Sequence, residues 1–281
     1  MKKITFVLKW VLCFLLFTNL QAQVAETSDG VVNHSGVSNL VQGSTPFTGT
    51  YYSNSRALLI YDNGPLINMP PDKSVLETSL GMNGYGFGAQ TTANNRMADD
   101  LILTNDYDIT SINFYAYQTG STTTSTLTGV TLRVWDGVPG AMGSSVVWGD
   151  ATTNVLGNTS FTGVFRVLET SQTATNRPIM EAQALTSGLT LTAGTYWLDW
   201  NFSGSLASGP WQPPIVILGT TTTGNGLQSI NGGPYNPAVD GGSGAQQGLP
   251  FQVFANLMNQ VNSCATDTPQ PLGPGSGVTT L

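Results

Sequence analysis

Two stretches of strict alternation between apolar and polar side chains constrain this chain more than any other feature. Both lie within residues 109–148, and a period of two is the pattern of β-strands with one buried face. The predicted inward positions are Ile112, Phe114, Ala116, Val130, Leu132 and Val134. The Asp-Gly-Val-Pro-Gly sequence at 136–140 then signals a turn, and strand-like residues resume at 145–148. The stretch therefore predicts a β-hairpin unit.

The first 22 residues have the pattern of a secretory signal peptide. Lys2 and Lys3 precede an apolar run at 10–17, and Ala22 suits the residue before a cleavage site. The run is well short of the ~20 residues that a membrane span needs, and no later run approaches that length. We therefore expect a secreted protein, extracellular or at the cell surface, with no membrane span in the mature chain.

The charge balance of the mature chain disfavours anionic partners. Cleavage would remove three of the nine basic residues and none of the sixteen acidic ones, so the net charge would fall from −7 to −10. Such a chain repels phosphate backbones and anionic lipids, so we expect neither nucleic acid nor membrane surfaces as partners. Cys264 would be the only remaining cysteine. Stability would then depend on the core rather than on a disulfide within the chain.

The rest of the chain is organised as one predicted domain between two less regular segments. Residues 23–55 are expected to form a loosely ordered arm, 56–258 the domain, and 259–281 a Pro- and Gly-rich tail. A second hairpin is predicted at 189–202, further strands at 56–61, 98–103, 161–168, 215–218 and 249–257, and long Gly-rich loops at 65–95 and 220–248. Only 169–184 resembles a helix, and weakly. The predicted fold is an all-β antiparallel sandwich, jelly-roll-like, with long Gly-rich loops.

Several short motifs resemble the jelly-roll ectodomains of secreted bacterial surface proteins. They are the Ala-Asp-Asp at 98–100, the strand start at 109–112, the Leu-Arg-Val-Trp at 132–135 with its turn, the Gly-Thr-Tyr-Trp at 194–197 and the Leu-Pro-Phe-Gln-Val at 249–253. The resemblance covers residues 56–257. It implies export and a β-sandwich, often placed before a C-terminal anchoring or sorting signal, and it transfers no catalytic residues.

Catalytic arrangements are weakly represented. His34 is the single histidine and lies in the arm, and Cys264 lies in the tail without a basic neighbour. A glycosidase needs two facing carboxyl groups, and the one carboxylate beside aromatic residues in a strand is Asp199. Alternation places Asp199 on the solvent side, next to Trp197 and Asn201. We therefore expect a protein that is not an enzyme.

Calcium is the one cofactor that the sequence suggests. Asp99 and Asp100 stand at a strand entrance, and a hard cation needs 6 to 8 oxygen ligands. The alternative is that such Asp residues accept hydrogen bonds from their own backbone turns. At most one of the adjacent pair can face the core. Arg96, backbone donors in the turn at 94–95, or calcium would then have to satisfy it.

Aromatic residues away from the predicted core suggest carbohydrate binding, because flat rings beside amide donors suit sugar rings. These candidate ligand-binding residues are Tyr115, Tyr117, Trp135, Trp197, Trp211 and Tyr235. The alternative is that they anchor loops that cover the sheets. The leading prediction is thus a secreted binding or adhesion module directed at an extracellular glycan or cell-surface component. The alternatives are a purely structural surface domain and, third, an accessory domain of a secreted hydrolase.

Overall fold

A computed structural model describes residues 25–27 and 57–257, so the predicted signal peptide, most of the arm, His34, the tail and Cys264 lie outside the described residues. In this part of the chain the elements are almost all strands. Two 3₁₀ turns, Thr78–Leu80 and Thr91–Ala93, are the described helical elements, and no described helix is long and apolar enough to cross a membrane. The strands are β1 Ala25–Thr27, β2 Leu58–Asp62, β3 Lys73–Leu76, β4 Gly84–Gly88, β5 Arg96–Leu103, β6 Tyr107–Ala116, β7 Leu127–Trp135, β8 Val146–Gly149, β9 Leu156–Leu168, β10 Pro178–Leu191, β11 Gly194–Gly204, β12 Trp211–Gln212, β13 Leu227–Ser229, β14 Tyr235–Pro237 and β15 Phe251–Leu257.

Two six-stranded sheets pack face to face, which confirms the predicted all-β sandwich. The first sheet has the order β2-β15-β6-β10-β9-β3 and the second has the order β14-β13-β5-β11-β7-β8. Every pairing is antiparallel except the one between β3 and β9. A small third sheet, β1-β4-β12, completes the structure.

The pairing is nested, which makes the sandwich a jelly roll. β2 pairs with β15, β5 with β11, β6 with β10 and β7 with β8, so partners come from opposite ends of the domain and converge on its middle. Successive nested pairs alternate between the first and the second sheet. This is the winding of an eight-stranded jelly roll, with β9 and the short strands added to it.

The main core fills the space between the inner faces of the two sheets. The ring of Phe114, on β6, stacks on that of Trp200, on β11, with centroids 4.5 Å apart, and Phe251 on β15 meets both. The indole N–H of Trp200 donates to Gln212 Oε1 at 3.0 Å, so this buried polar group is satisfied. The alternating apolar positions predicted at 112–116 and 130–134 all belong to this core. Burying each large side chain of this kind stabilises the fold by about 1.5–3 kcal/mol.

Both predicted hairpins need correction. β6 lies in the first sheet and β7 in the second, and the same is true of β10 and β11. Of the predicted unit at 109–148, the hairpin present is that of β7 and β8. A period of two shows which face of a strand is buried and does not show whether the next strand lies beside it or across the core. Here the apolar faces of β6 and β7, and those of β10 and β11, meet across the core.

A second hydrophobic cluster covers the outer face of the first sheet. Tyr115, Tyr117 and Ile179 from that sheet pack against Tyr85 and Trp211, which come from β4 and β12 of the small sheet. Tyr117 and Trp211 also exchange backbone hydrogen bonds of 2.8 and 3.0 Å. The loop predicted at 65–95 is therefore partly β-structure, and it forms a lid on the sheet.

Candidate functional site

The six aromatic residues predicted to bind a ligand fall into two groups of three on opposite sides of the sandwich. One group belongs to the second hydrophobic cluster: Tyr115, Tyr117 and Trp211. The other lies on the outer face of the second sheet: Trp135, Trp197 and Tyr235. Tyr115, Tyr117, Trp135 and Trp197 point away from the main core, as alternation predicted. Trp211 and Tyr235, expected in loops, lie on the short strands β12 and β14.

The first group is not an exposed platform. Tyr115, Tyr117 and Trp211 are all buried, and Tyr117 has no exposed surface at all. The sequence places them outside the main core correctly, but the segments that carry β4 and β12 close over them. Their rings therefore hold these covering segments on the sheet, and a sugar ring cannot reach them in this structure.

The second group surrounds a buried carboxylate. On β11, Trp197, Asp199 and Asn201 alternate with the core residues, and Asp199 stands directly opposite Arg133 on β7. We call the group formed by Arg96, Arg133, Trp135, Asp199 and Tyr235 the Asp199 cluster. It spans the three central strands β5, β11 and β7, and the hairpin of β13 and β14 contributes Tyr235 to it.

Each carboxylate oxygen of Asp199 accepts strong hydrogen bonds. Arg96 Nε donates to Oδ1 at 2.5 Å, and Arg96 Nη2 donates to the backbone carbonyl of Asp199 at 2.9 Å. Arg133 Nε donates to Oδ2 at 2.6 Å and Trp135 Nε1 donates to the same atom at 3.0 Å. Asp199 is fully buried. Charge-assisted bonds of this length are among the stronger polar contacts in proteins, and here they fix three side chains at once.

The outer part of the cluster reaches solvent. Arg133 keeps 22% of its side-chain surface exposed, whereas Arg96 keeps only 4%. Trp135 and Tyr235 are half-buried, and Trp197 is nearly covered. The Arg133 guanidinium lies over the Trp135 ring, 5.1 Å from its centroid, and Arg133 Nη2 donates to the Tyr235 hydroxyl at 3.1 Å. Burial, together with the negative charge of Asp199, raises the pKa of that phenol well above its ordinary value.

A polar network extends the cluster along the sheet. Arg96 Nη1 donates to Thr131 Oγ1 at 2.8 Å, and both Thr131 and Thr91 donate to Asn201 Oδ1, at 2.7 and 3.1 Å. Arg96, Thr131 and Asn201 are buried and Thr91 is half-buried, and their mutual hydrogen bonds satisfy polar groups that would otherwise be costly to bury. The network holds Arg96 in place beneath the exposed part of the cluster.

Asp199 corrects an expectation from the sequence. Alternation placed it on the solvent side, where its charge would be hydrated, yet the structure buries it between two arginines. Arg96, Arg133 and Trp135 cover the carboxylate from the neighbouring strands. Gly232 N donates to the Asn94 carbonyl and Asn231 N donates to Asn95 Oδ1, which holds the turn between β13 and β14 beside the start of β5. The sequence reasoning also missed Arg96 and Arg133 as partners of Asp199, although Arg133 stands on a predicted strand and Arg96 lies two residues before one.

Asp99 and Asp100 are separated by the strand that carries them. Asp99 is buried, while Asp100 is half-buried on the opposite side of β5. The donors to Asp99 are Leu249 N at 2.7 Å, Asp100 N at 2.9 Å and Asn63 Nδ2 at 3.1 Å. They do not come from the turn at 94–95, and Arg96 pairs with Asp199 instead. Desolvation by burial raises the pKa of Asp99 to about 7, against the opposing effect of the backbone donors.

No group of three or more His, Cys, Asp or Glu side chains within 57–257 is arranged to hold a metal ion. The calcium prediction therefore stays a prediction. Two adjacent carboxylates on opposite faces of a strand cannot share one ion. Any site would need one of them together with backbone or amide oxygens.

The Asp199 cluster places hydrogen-bond donors and aromatic rings at the surface of the second sheet. Both oxygens of its carboxylate already accept bonds from cationic or indole donors, so the cluster presents a fixed guanidinium, an indole and a phenol at its surface.

Comparison of the chain with protein-family models, with curated proteins and with solved structures found no match in any of the three. The resemblance to bacterial surface ectodomains thus stays a prediction.

Proposed function

We propose that this protein is a secreted, non-catalytic binding or adhesion module that binds an extracellular glycan through the Asp199 cluster. The observation that carries the proposal is the half-exposed group of Arg133, Trp135 and Tyr235, held in place from below by the buried Asp199. Sugars present flat C–H faces and hydroxyl groups, and an aromatic ring beside fixed hydrogen-bond donors complements both.

Preorganisation supports this role. Binding normally costs free energy because flexible side chains become ordered, about 0.5–1.5 kcal/mol for each such side chain. Arg133 and Trp135 are already ordered by hydrogen bonds to Asp199. The backbones that carry Arg96, Asp199 and Arg133 belong to β5, β11 and β7, which lie inside the sheet. A ligand would therefore meet a surface that needs little rearrangement.

The test is a polysaccharide pull-down and a glycan array with the mature protein and three variants. Trp135→Ala and Tyr235→Ala should each weaken retention on the bound glycan by about tenfold or more, since both remove stacking area. Trp148→Ala is the control, because Trp148 lies on the neighbouring strand β8 and packs against the main core instead. Thermal melts of all variants separate lost binding from lost folding.

The alternative of a purely structural surface domain has its own supporting observation. Four of the six candidate aromatics are buried, which is the behaviour of residues that anchor loops. Failure of the wild-type protein to bind any glycan would favour that alternative. Turnover of chromogenic glycosides or peptides by the purified protein would instead indicate an enzyme.

A further inference from the structure

We infer that the glycan bound at the Asp199 cluster carries a carboxylate, as a uronic acid does, and that Arg133 is the residue that binds it. The inference rests on the proposed function and adds the chemical class of the ligand. It is carried by the charge of the cluster, by the donors that Arg133 has left, and by the position of those donors beside Trp135 and Tyr235.

The Asp199 cluster has a net positive charge, whereas the described part of the domain has a net negative charge. Residues 57–257 contain five basic residues against thirteen acidic ones, yet two of the five surround the single carboxylate of Asp199. Arg96 is buried with Asp199, so this inner pair is neutral in sum. Arg133 therefore retains a positive charge that the cluster itself does not balance, and it is the more exposed of the two arginines.

Arg133 also has donors available. Its Nε and Nη2 donate to Asp199 and Tyr235, while no acceptor for Nη1 is found among the described residues. A guanidinium has five N–H groups in a planar fork, and this fork matches the two oxygens of a carboxylate. Nη1 of Arg133, which has two N–H groups, is thus free to donate to a second carboxylate, supplied by the ligand, while Nε and Nη2 stay on Asp199 and Tyr235.

The surroundings specify a sugar acid rather than a free anion. A carboxylate bound at Arg133 would lie beside the Trp135 ring and the Tyr235 phenol, which offer contact area to the ring that carries it. Asp100, half-buried on the same face of the sheet in line with Trp197 and Trp135, adds an acceptor for sugar hydroxyls. Its own negative charge makes it a useful probe, because it should oppose an anionic ligand.

The experiment compares two polymers of one sugar. Binding of the mature protein to polygalacturonate and to fully methyl-esterified polygalacturonate is measured by affinity electrophoresis and calorimetry. The ester keeps the ring and the hydroxyls, removes the charge and adds one methyl group. We expect the acid form to bind about 10- to 100-fold more tightly, the range expected for hydrogen bonds to a charged group, and its affinity to fall as salt is raised.

The variants locate the effect. Arg133→Gln should abolish the preference for the acid form, Arg133→Lys should retain part of it because the charge stays and the fork is lost, and Asp100→Asn should increase it. Arg177→Gln is the matched control, since Arg177 is another half-buried arginine whose guanidinium lies over an aromatic ring, 3.7 Å from the centroid of Tyr85. Thermal melts check folding, and the comparison of the two polymers on wild-type protein needs no variant.

The outcomes distinguish this inference from the proposed function. Equal binding of acid and ester, or a preference for the acid that survives Arg133→Gln, overturns the carboxylate assignment while leaving a glycan-binding module. Binding to neutral polysaccharides alone has the same meaning. Absence of binding to any polysaccharide, charged or neutral, overturns both.

Discussion

Replacing Asp199 by Asn should strongly destabilise the domain. The substitution keeps the size of the side chain and one oxygen acceptor, but it removes the negative charge that faces Arg96 and Arg133. Arg96 keeps only 4% of its side-chain surface exposed, so its charge would remain buried without a counter-charge. The new amide N–H₂ would also point at an existing N–H donor.

The magnitude follows from these contacts. Removing one partner of a buried ion pair costs about 3–5 kcal/mol, because the remaining charge loses its compensation. Arg133 adds less, since it is partly hydrated. Against a total stability of about 5–15 kcal/mol, the change should remove a large share, and the melting temperature should fall by roughly 10 °C for a domain of this size.

Urea unfolding followed by near-UV circular dichroism measures the effect. Asp136→Asn is the control, because Asp136 is an exposed carboxylate in the β7–β8 turn that accepts a bond from Ser145 N, and its change should stay within about 0.5 kcal/mol. The double variant Arg96→Met with Asp199→Asn should lose less than the sum of the two single losses. A loss below about 1 kcal/mol for Asp199→Asn, or strict additivity in the cycle, would refute the reasoning.

Three further predictions concern positions outside the cluster. Burial raises the pKa of Asp99 to about 7 from an unfolded value of 3.8, so the folded state holds the proton more tightly. Stability should therefore fall by up to about 4 kcal/mol as pH rises from 4 to 7. Urea titrations should show a smaller dependence of stability on pH in Asp99→Asn, and an unchanged dependence would contradict the prediction. Gly149→Ala should destabilise the domain far more than Gly120→Ala in thermal melts. Both glycines have positive φ, +76° at Gly149 and +86° at Gly120, but only at Gly149 would an added Cβ clash with a backbone atom, the Leu132 carbonyl oxygen. Equal losses of stability would show that the positive φ alone decides the effect. If calcium binds through Asp99 or Asp100, EDTA should lower the melting temperature of the wild type and calcium should restore it, while a melting temperature indifferent to EDTA leaves both residues without a metal role.

The main core was predictable from the sequence because alternation reports burial directly. Leu198, Trp200 and Phe202 alternate along β11 with the predicted outward residues Trp197, Asp199 and Asn201, and all three lie in the core. The run at 215–218 was misread as a strand: Ile215 and Val216 are buried, but their backbone N–H groups bond to Gly248 and Pro65 outside any ladder. An apolar run indicates burial, and only its partners decide whether it is a strand.

The wrong prediction of a hairpin between β10 and β11 has a cause that is visible in the sequence of the connector. β10 and β11 are joined by Thr192 and Ala193, and neither is the Gly, Asn or Asp that a two-residue hairpin turn favours. The length of this connector is compatible with a hairpin, but its residues are equally compatible with a crossing from one sheet to the other. The weak helical pattern at 169–184 was overridden in a similar way, since Pro178 begins the long strand β10, whose pairing with β6 and β9 outweighs local preference.

The burial of Asp199 required sheet order, which no local pattern contains. Charged residues are only 9% of this chain, well below the roughly 25% of ordinary domains. The outward strand residues Trp197, Asp199 and Asn201 are buried, so an outward strand position here is not equivalent to a hydrated one. Arg96, Arg133 and Asp199 occupy outward positions on three strands that are distant in sequence. Nested jelly-roll pairing makes those strands neighbours in the order β5-β11-β7, and the register then sets Asp199 opposite Arg133. The arrangement of two cations around one anion is therefore a consequence of topology. The same topology leaves Arg133, the most exposed of the three, with its unused donors towards solvent.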